Sequence, residues 1–442
     1  MVGEWPTRSI DELKAQSRAA IAIGPFGSRM KSECYVPSGV PVIRGTNISD
    51  TRELIGEMVC ITPEKAEEVQ SSIIFADDLF FPHRGSIGLV GIVPQNGTAR
   101  YVQSSSMMKL TCDRSQVEPL YLFYFFRSAQ GRQELLKNAS TVGTPGIGQP
   151  LSSLKAIRVP LPPLPEQKAI AHILGTLDDK IELNRRMNVT LEAMARALFQ
   201  SWFVDFDPVR AKLDGRQPAG LDAATAALFP AHFQESTLGE LPQGWRIGTL
   251  GELVELRTDR VDPTPSKDDK RYVALEDMPS KSIDLSNHQL GSAVNSSITA
   301  FRKDDVLFGS MRPYFHKVGL AFFDGITRTT TFVLRPRKDY FRHFALMHFF
   351  SDDVVAHATI ASVGTTIPYV KWDSLENYKI PIPPDTLLDA FEKAVSPFIQ
   401  RIAAQGEESH TLATLRDALL PKLLSGELQV QNNLSDSHQL RH

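Results

Sequence analysis

The chain has 442 residues, a hydrophobic share of 42%, a charged share of 22% and a formal net charge of −3 at neutral pH. That length exceeds a single core and predicts two or three domains, and the ordinary composition excludes a disordered, collagenous or disulfide-stapled class. The near-neutral balance supplies no overall basic field for phosphate, so any nucleic-acid surface has to be local.

The start, Met1 to Pro6, has no basic stretch leading into an apolar one, and no apolar run approaches the ~18 residues of a membrane helix. Neither export nor membrane spanning is expected. Cys34, Cys60 and Cys112 are odd in number and scattered, which suits a reducing cytoplasm and suggests neither a disulfide framework nor zinc. Residues 1–155 then hold short β-rich runs, Val40-Pro41-Val42-Ile43 and Ile87 to Val93, broken by Gly, Pro, Asn and Ser. One aromatic helical stretch, Tyr121 to Arg127, is expected in the core.

The segment 156–235 opens on Val159-Pro160-Leu161-Pro162-Pro163, and Pro165 stands where the first turn of a helix tolerates it. Seam positions then step by four and three: Ile170, Leu174, Leu177, Ile181, Asn184, Asn188, Leu191, Ala195, Leu198, Trp202. This is a heptad seam with a polar middle. Residues 236–375 form a second β-rich front with its own aromatic stretch, Phe341 to Phe350. Residues 376–442 open on Ile380-Pro381-Ile382-Pro383-Pro384, displaced by 381 − 160 = 221 from the first cluster.

The same offset carries Val142-Gly143-Thr144 onto Val363-Gly364-Thr365 and repeats the seam as Phe391, Val395, Phe398, Ile402, Gln405, Ser409, Leu412, Arg416, Leu419 and Leu423. Looser matches join Trp5 through Leu13 to Trp245 through Leu253, Asp78-Leu79-Phe80 to Asp305 through Phe308, and Ser104-Ser105-Ser106 to Thr329-Thr330-Thr331. The chain is therefore a duplication with divergent fronts and matched backs. An α+β fold is expected, with two mixed α/β domains separated by a long two-helix coiled coil. Antiparallel pairing gives a pseudo-twofold axis and lets Asn184 and Asn188 meet Gln405 and Ser409. Helices of about 36 residues would be about 54 Å long, and such a caliper suits two half-sites at fixed separation on a duplex.

The tracts Gly24-Pro25-Phe26-Gly27-Ser28, Gly39 through Ile48, Arg84-Gly85-Ser86-Ile87-Gly88 and Pro160 through Gln167, with the second proline cluster, resemble those of type I restriction–modification specificity subunits. The resemblance implies target-recognition domains at 1–155 and 236–375, each reading one half of an asymmetric bipartite site in double-stranded DNA. Helical regions at 156–235 and 376–442 would set the spacing and dock two adenine-methyltransferase subunits, with two restriction subunits joining that core. It also implies a non-catalytic chain, with S-adenosylmethionine, ATP and Mg in the partner subunits and no metal or cofactor here. The second cluster departs from the pattern, running into Asp385-Thr386-Leu387 where the first has Leu164-Pro165-Glu166.

Motifs for chemistry are missing. The Gly24 to Arg29 tract lacks the spacing of a phosphate-binding loop, and no Asn/Asp-Pro-Pro-aromatic tract for a flipped adenine occurs. Glu166-Gln167-Lys168 and Asp178-Asp179-Lys180 read as solvated helix charges. Two other classes compete with DNA recognition: an autonomous methyltransferase or nuclease, which the missing motifs disfavour, and a protein-binding scaffold built on the same frame. For base reading, polar side chains on Gly-punctuated loops can meet base edges. The candidates are Arg44, Thr46, Asn47, Arg84, Ser86 and Thr144 in the first domain, and Arg312, Tyr314, Arg328, Thr365, Thr366, Tyr369 and Lys371 in the second.

Overall fold

The structure, a computed structural model, describes residues 5–26, 29–49, 51–140, 143–261, 269–293 and 297–430. Gly27, Ser28 and Val142, which carry parts of the motifs above, lie outside them. The chain divides into two compact units, one of residues 1–182 with 412–442 and one of residues 183–411.

In the first unit the strand Thr7–Ser9 leads into a one-turn helix, Ile10–Leu13, whose start is fixed by the Glu12 carboxylate accepting the Ser9 N–H at 2.8 Å. That strand pairs antiparallel with Arg158–Pro160, so the proline cluster closes the domain on itself. A four-stranded antiparallel sheet runs in the order Ile21–Ile23, Met107–Leu110, Leu79–Pro82, Gly91–Ile92. A five-stranded sheet runs Tyr35–Val36, Cys60–Ile61, Val40–Ile43, Tyr101–Gln103, Ile73–Ile74, with one parallel pair, Val42 opposite Val102. Helix Pro119–Arg127 contributes Tyr121 through Phe126, all fully buried, to the main core, as the apolar pattern predicts.

The second unit repeats this plan with other residues. Thr249 and Glu252 form the same cap, at 3.0 Å, and Arg246–Thr249 pairs antiparallel with Lys379–Ile382. The four-stranded sheet runs Val254–Arg257, Thr331–Pro336, Val306–Gly309, Val318–Leu320. The five-stranded sheet runs Arg260–Val261, Ile298–Phe301, Gly325–Arg328, Arg271–Val273, Gln289–Leu290, again with its parallel pair inside, Tyr272 opposite Ile326. The repeats differ at the edges. The fifth strand of the first unit, Tyr35–Val36, extends Cys60–Ile61, whereas Arg260–Val261 extends the opposite side of its sheet. Helix Arg342–Phe349 and its neighbour Phe350 are buried like their counterpart.

Equivalent polar devices recur. Buried Asp78 accepts the Phe75 N–H at 2.9 Å, and buried Asp305 accepts the Arg302 N–H at 2.7 Å just before the matching strand. In the second unit Arg335 adds a bidentate pair to Asp305 at 2.8 and 2.7 Å. In the first unit Lys109 is buried instead and donates to the Ile73 carbonyl at 2.7 Å.

The two long helices are Leu164–Phe203, 40 residues, and Asp385–Ser425, 41 residues. The second begins at Asp385, whose carboxylate accepts from the Tyr340 hydroxyl at 2.5 Å and Lys338 Nζ at 3.1 Å. An acidic residue in the first turn also suits the positive end of the helix dipole.

Pairing is antiparallel within each unit. In the first, Glu166 accepts the Val430 N–H at 2.8 Å and Asp178 accepts from Arg416 Nη1 at 2.7 Å, so rising numbers meet falling ones. In the second, Asn184 Nδ2 donates to Glu408, Ser409 Oγ and the Gln405 carbonyl at 2.8, 3.3 and 3.4 Å, and Asn188 Nδ2 reaches the Ile402 carbonyl at 3.5 Å. Asn184 therefore meets the residues expected of it. Asn188 does not: its better bond, 3.0 Å, goes to Asp284 of the adjoining α/β domain.

The seam positions Ile170, Leu174, Ala195, Trp202, Ile402 and Gln405 are buried. Leu177, Ile181, Leu191, Phe398, Ser409 and Leu412 are half-buried, while Asp178, Glu182, Glu192 and Ile399 beside them are buried. The stripe is wider than a two-helix seam because in each unit the helix segments also pack on that unit's α/β domain. This corrects the reading of Asp178 as a solvated charge, while in the other motif Lys168 is exposed, Glu166 half-buried and the neutral Gln167 enclosed. Gln167 is fully buried, its amide donating to the Gln116 and Pro162 carbonyls and its oxygen accepting the Glu118 N–H. Asp178 is 1% exposed and also accepts from the Tyr124 hydroxyl at 2.7 Å.

Candidate nucleic-acid interface

In the first unit four loops converge at one end of the two sheets. The turn after Val40–Ile43, residues 44–47, is a 3-10 turn locked by the Arg44 N–H donating to Asn47 Oδ1 at 2.9 Å. Gly45 packs beside Pro82 and Ser86. The next loop, 83–88, is tied to 143–147 by the Gly85 N–H to the Pro145 carbonyl at 2.8 Å and the Ile147 N–H to the His83 carbonyl at 2.9 Å. His83 also joins the serine loop, its N–H donating to the Ser106 carbonyl at 2.9 Å and its Nε2 lying 3.1 Å from the Ser105 carbonyl. Burial lowers the His83 pKa, so it acts as a neutral brace at physiological pH. Gly24 is required beneath this cluster: a Cβ there would stand 1.9 Å from the Ser104 carbonyl oxygen.

Thr46, Arg84, Ser86 and Thr144 are exposed on these loops, and Arg44 is half-exposed with its guanidinium 5.1 Å above the Tyr35 ring. Asn47 is a correction. It is 1% exposed, its Nδ2 donates to the Ile55 carbonyl at 2.8 Å, and its Oδ1 holds Arg44. Its amide shapes the turn and has no face left for a base.

The second unit builds the same cluster. The loop 310–316 is tied to 363–371 by the Arg312 N–H to the Pro368 carbonyl at 2.7 Å and the Val370 N–H to the Ser310 carbonyl at 3.0 Å. Ser310 in turn donates through N–H and Oγ to the Thr330 carbonyl, at 3.0 and 2.7 Å. Arg312, Tyr314, Thr365, Thr366, Tyr369 and Lys371 are exposed on it. Arg328 is half-buried beside the enclosed Tyr272 hydroxyl, so it supports the cluster more than it projects from it.

Sequence reasoning missed two parts of this region. The turn Ala274 to Asp277 is the counterpart of Arg44 to Asn47, with the Ala274 N–H donating to Asp277 Oδ2 at 2.9 Å. The signal was available: a β-run, three residues, a carboxamide or carboxylate, then Ile48 or Met278. Phe315, 45% exposed next to Tyr314, is absent from the candidates.

What these loops can do is present Arg, Lys, Ser, Thr and Tyr groups from a rigid base, the set that meets phosphates and base edges. Among the described residues no group of three or more His, Cys, Asp or Glu is placed to hold a metal, and no helix is long and apolar enough to cross a membrane.

Two copies of one α/β module with differing loops are the plan of a sequence-reading protein, and comparison with known proteins agrees. The family profile "Type I restriction modification DNA specificity domain" matches residues 27–193 and again 242–394. The chain belongs to this family, the DNA-recognition and non-catalytic subunits of type I restriction–modification systems. It is 26% identical over 390 residues to the type I restriction enzyme MjaIX specificity subunit of Methanocaldococcus jannaschii, covering 84% of this chain and 82% of that one. It is 26% identical over 384 residues to the HindI specificity subunit of Haemophilus influenzae, covering 75% and 82%. The crystal structure of the S subunit from M. genitalium shares the fold, with a TM-score of 0.53 at 17% identity over 95% of this chain and 96% of that one.

Proposed function

We propose that each α/β domain reads one half of an asymmetric, bipartite duplex site through its loop cluster, and that the paired helices set the separation of the half-sites. One observation carries this reading: topologically equivalent loops in the two repeats share their backbone ties and differ in their exposed side chains. Arg84 and Ser86 stand in the first, Arg312, Tyr314 and Tyr369 in the second. A fixed scaffold with variable polar tips is what independent readers of two different half-sites require.

The exposed faces of the helical regions 156–235 and 376–442 would dock two methyltransferase subunits, with two restriction subunits completing the assembly in the cytoplasm. S-adenosylmethionine, ATP and Mg would be bound by those partners. The test is to exchange residues 1–155 for the first domain of another family member and sequence the methylome of cells carrying the hybrid with its methyltransferase. One half-site should change while the other half and the gap persist. A change in both halves would sink the two-reader model.

A further inference from the structure

The second domain carries a feature that polar readout leaves unexplained. Tyr314 and Phe315 are adjacent, 51% and 45% exposed, with ring centroids 4.8 Å apart at 61°. Neighbouring side chains in a turn rarely both leave large apolar rings in water, and contiguous exposed apolar surface marks a place of contact.

The turn that presents them is held from every side. It is the 3-10 segment Pro313–Phe315, flanked by two non-glycine residues in the left-handed region, Arg312 at φ 47° and His316 at φ 50°. Pro313 and His316 are buried, and His316 Nε2 lies 2.9 Å from the Phe350 carbonyl. The carbonyls of Phe315 and His316 accept from Ser280 Oγ at 2.7 Å and the Lys281 N–H at 3.0 Å. Backbone in these sparsely populated regions persists where surrounding contacts over-determine it, and such sites cluster at ligand clamps.

The setting is cationic and apolar. Arg312 is exposed in the same turn, and Lys371, Val363, Ile367 and Tyr369 are exposed on the loop that the Arg312–Pro368 bond ties to it. Asp352, the carboxylate at the foot of the turn, is paired with Lys281 at 3.2 Å. Cations flanking aromatic rings make the composition of a base-stacking platform. The corresponding loop of the first domain, 83–88, has no Phe, Tyr or Trp.

Building on the two-reader assignment, we propose that Tyr314 and Phe315 form an aromatic wedge that enters one base step of the second half-site, while Arg312 and Lys371 hold the flanking phosphates. A wedge reads how readily a step unstacks as well as its edges, so it favours a flexible pyrimidine–purine step. The two half-sites are then read by different physics: polar contact in the first, deformation in the second.

The test uses the complex of this chain with its methyltransferase and a duplex holding both half-sites, located by methylome sequencing. 2-Aminopurine replaces in turn each adenine of the second half-site, on either strand, other than the methylated one. Fluorescence should rise at one step with the wild-type chain and stay flat with Tyr314→Ala/Phe315→Ala. That double variant should bind roughly 10- to 100-fold more weakly and lose discrimination at that step alone. Tyr314→Phe/Phe315→Leu, which keeps apolar bulk, should retain most of the signal and show that lost packing in the fold is not the cause.

A flat profile from a wild-type complex that binds normally would overturn the wedge, as would a double variant that discriminates like wild type. Failure of the wild-type complex to bind the duplex would instead sink the two-reader assignment itself.

Discussion

The buried ion pair of the first unit can be tested against a control written into the same chain. Asp178, 1% exposed, accepts from the Tyr124 hydroxyl and from Arg416 Nη1, both at 2.7 Å, with Arg127 Nη1 at 3.9 Å. Shifting by the repeat offset of 221 places Ile399 and Ala195 at these two positions in the second unit, both buried. One fold thus carries an ionic and an apolar solution to the same crossing. Arg416→Ala leaves the carboxylate enclosed without its nearest cation, a loss of about 3–5 kcal/mol.

The first unit spans 182 + 31 residues, a size at which each kcal/mol moves Tm by about 2–4 °C, so its transition should fall by about 6–20 °C. Replacing the set, Asp178→Ile with Arg416→Ala and Tyr124→Phe, should recover most of that loss, because the carboxylate leaves together with its two 2.7 Å partners and only the longer contact to Arg127 is given up. Calorimetry of the full chain reads the shift, and hydrogen exchange of the Tyr121 to Phe126 amides assigns it to this unit. A cost below about 1 kcal/mol for Arg416→Ala, or a triple variant as unstable as the sum of its parts, would refute the reasoning.

Two further predictions concern positions that shape the domains. Burial raises the Glu192 pKa to about 7, against hydrogen bonds from Ser282 Oγ at 2.7 Å and the Ile283 N–H at 3.2 Å. Because the folded value lies above the unfolded one, its contribution is complete below pH 4.5 and is lost as pH rises through 7, a swing of about 3 kcal/mol. Glu192→Gln should flatten that dependence in denaturation curves from pH 5 to 8 and be the more stable chain at pH 8; an unchanged slope would show that Glu192 is not the group responsible. Asn47→Ala should cost about 1–3 kcal/mol by stranding the Arg44 N–H and the Ile55 carbonyl, and should weaken recognition of the first half-site only. Thermal melts and methylation of half-site variants check both, and equal losses at the two half-sites would contradict it.

The duplication, the helix pair and the position of the loops were legible because they rest on local pattern: the proline clusters mark helix starts, the heptads mark one face, and Gly-punctuated polar tracts mark turns. What stayed hidden depends on partners far along the chain. Asp178 looked solvated because Arg416 lies 238 residues away, and a carboxylate on a helix carries no local sign of such a mate. Asn47 looked like a reader because an amide that braces its own turn and one that greets a base have the same sequence setting. Asn188 was drawn to Asp284, which no heptad pattern contains. The edge strands Tyr35–Val36 and Arg260–Val261 could not be placed, since a two-residue strand is specified by the sheet it joins.

The division of the chain also fixes an order of assembly. Residues 183–411 form a continuous unit, but the first unit draws on chain beyond Leu412 as well as on 1–182. Leu420, Leu423 and Leu424 share its core with Ile170 and Leu174. On a ribosome the domain that emerges first therefore waits for 412 − 182 = 230 further residues, about 10–45 s at ordinary synthesis rates. Meanwhile the second unit can close. Until the last helix arrives, the apolar stripe at Ile170 and Leu174 stands open, so nascent chains stalled before Leu412 should be the form that chaperones and proteases find.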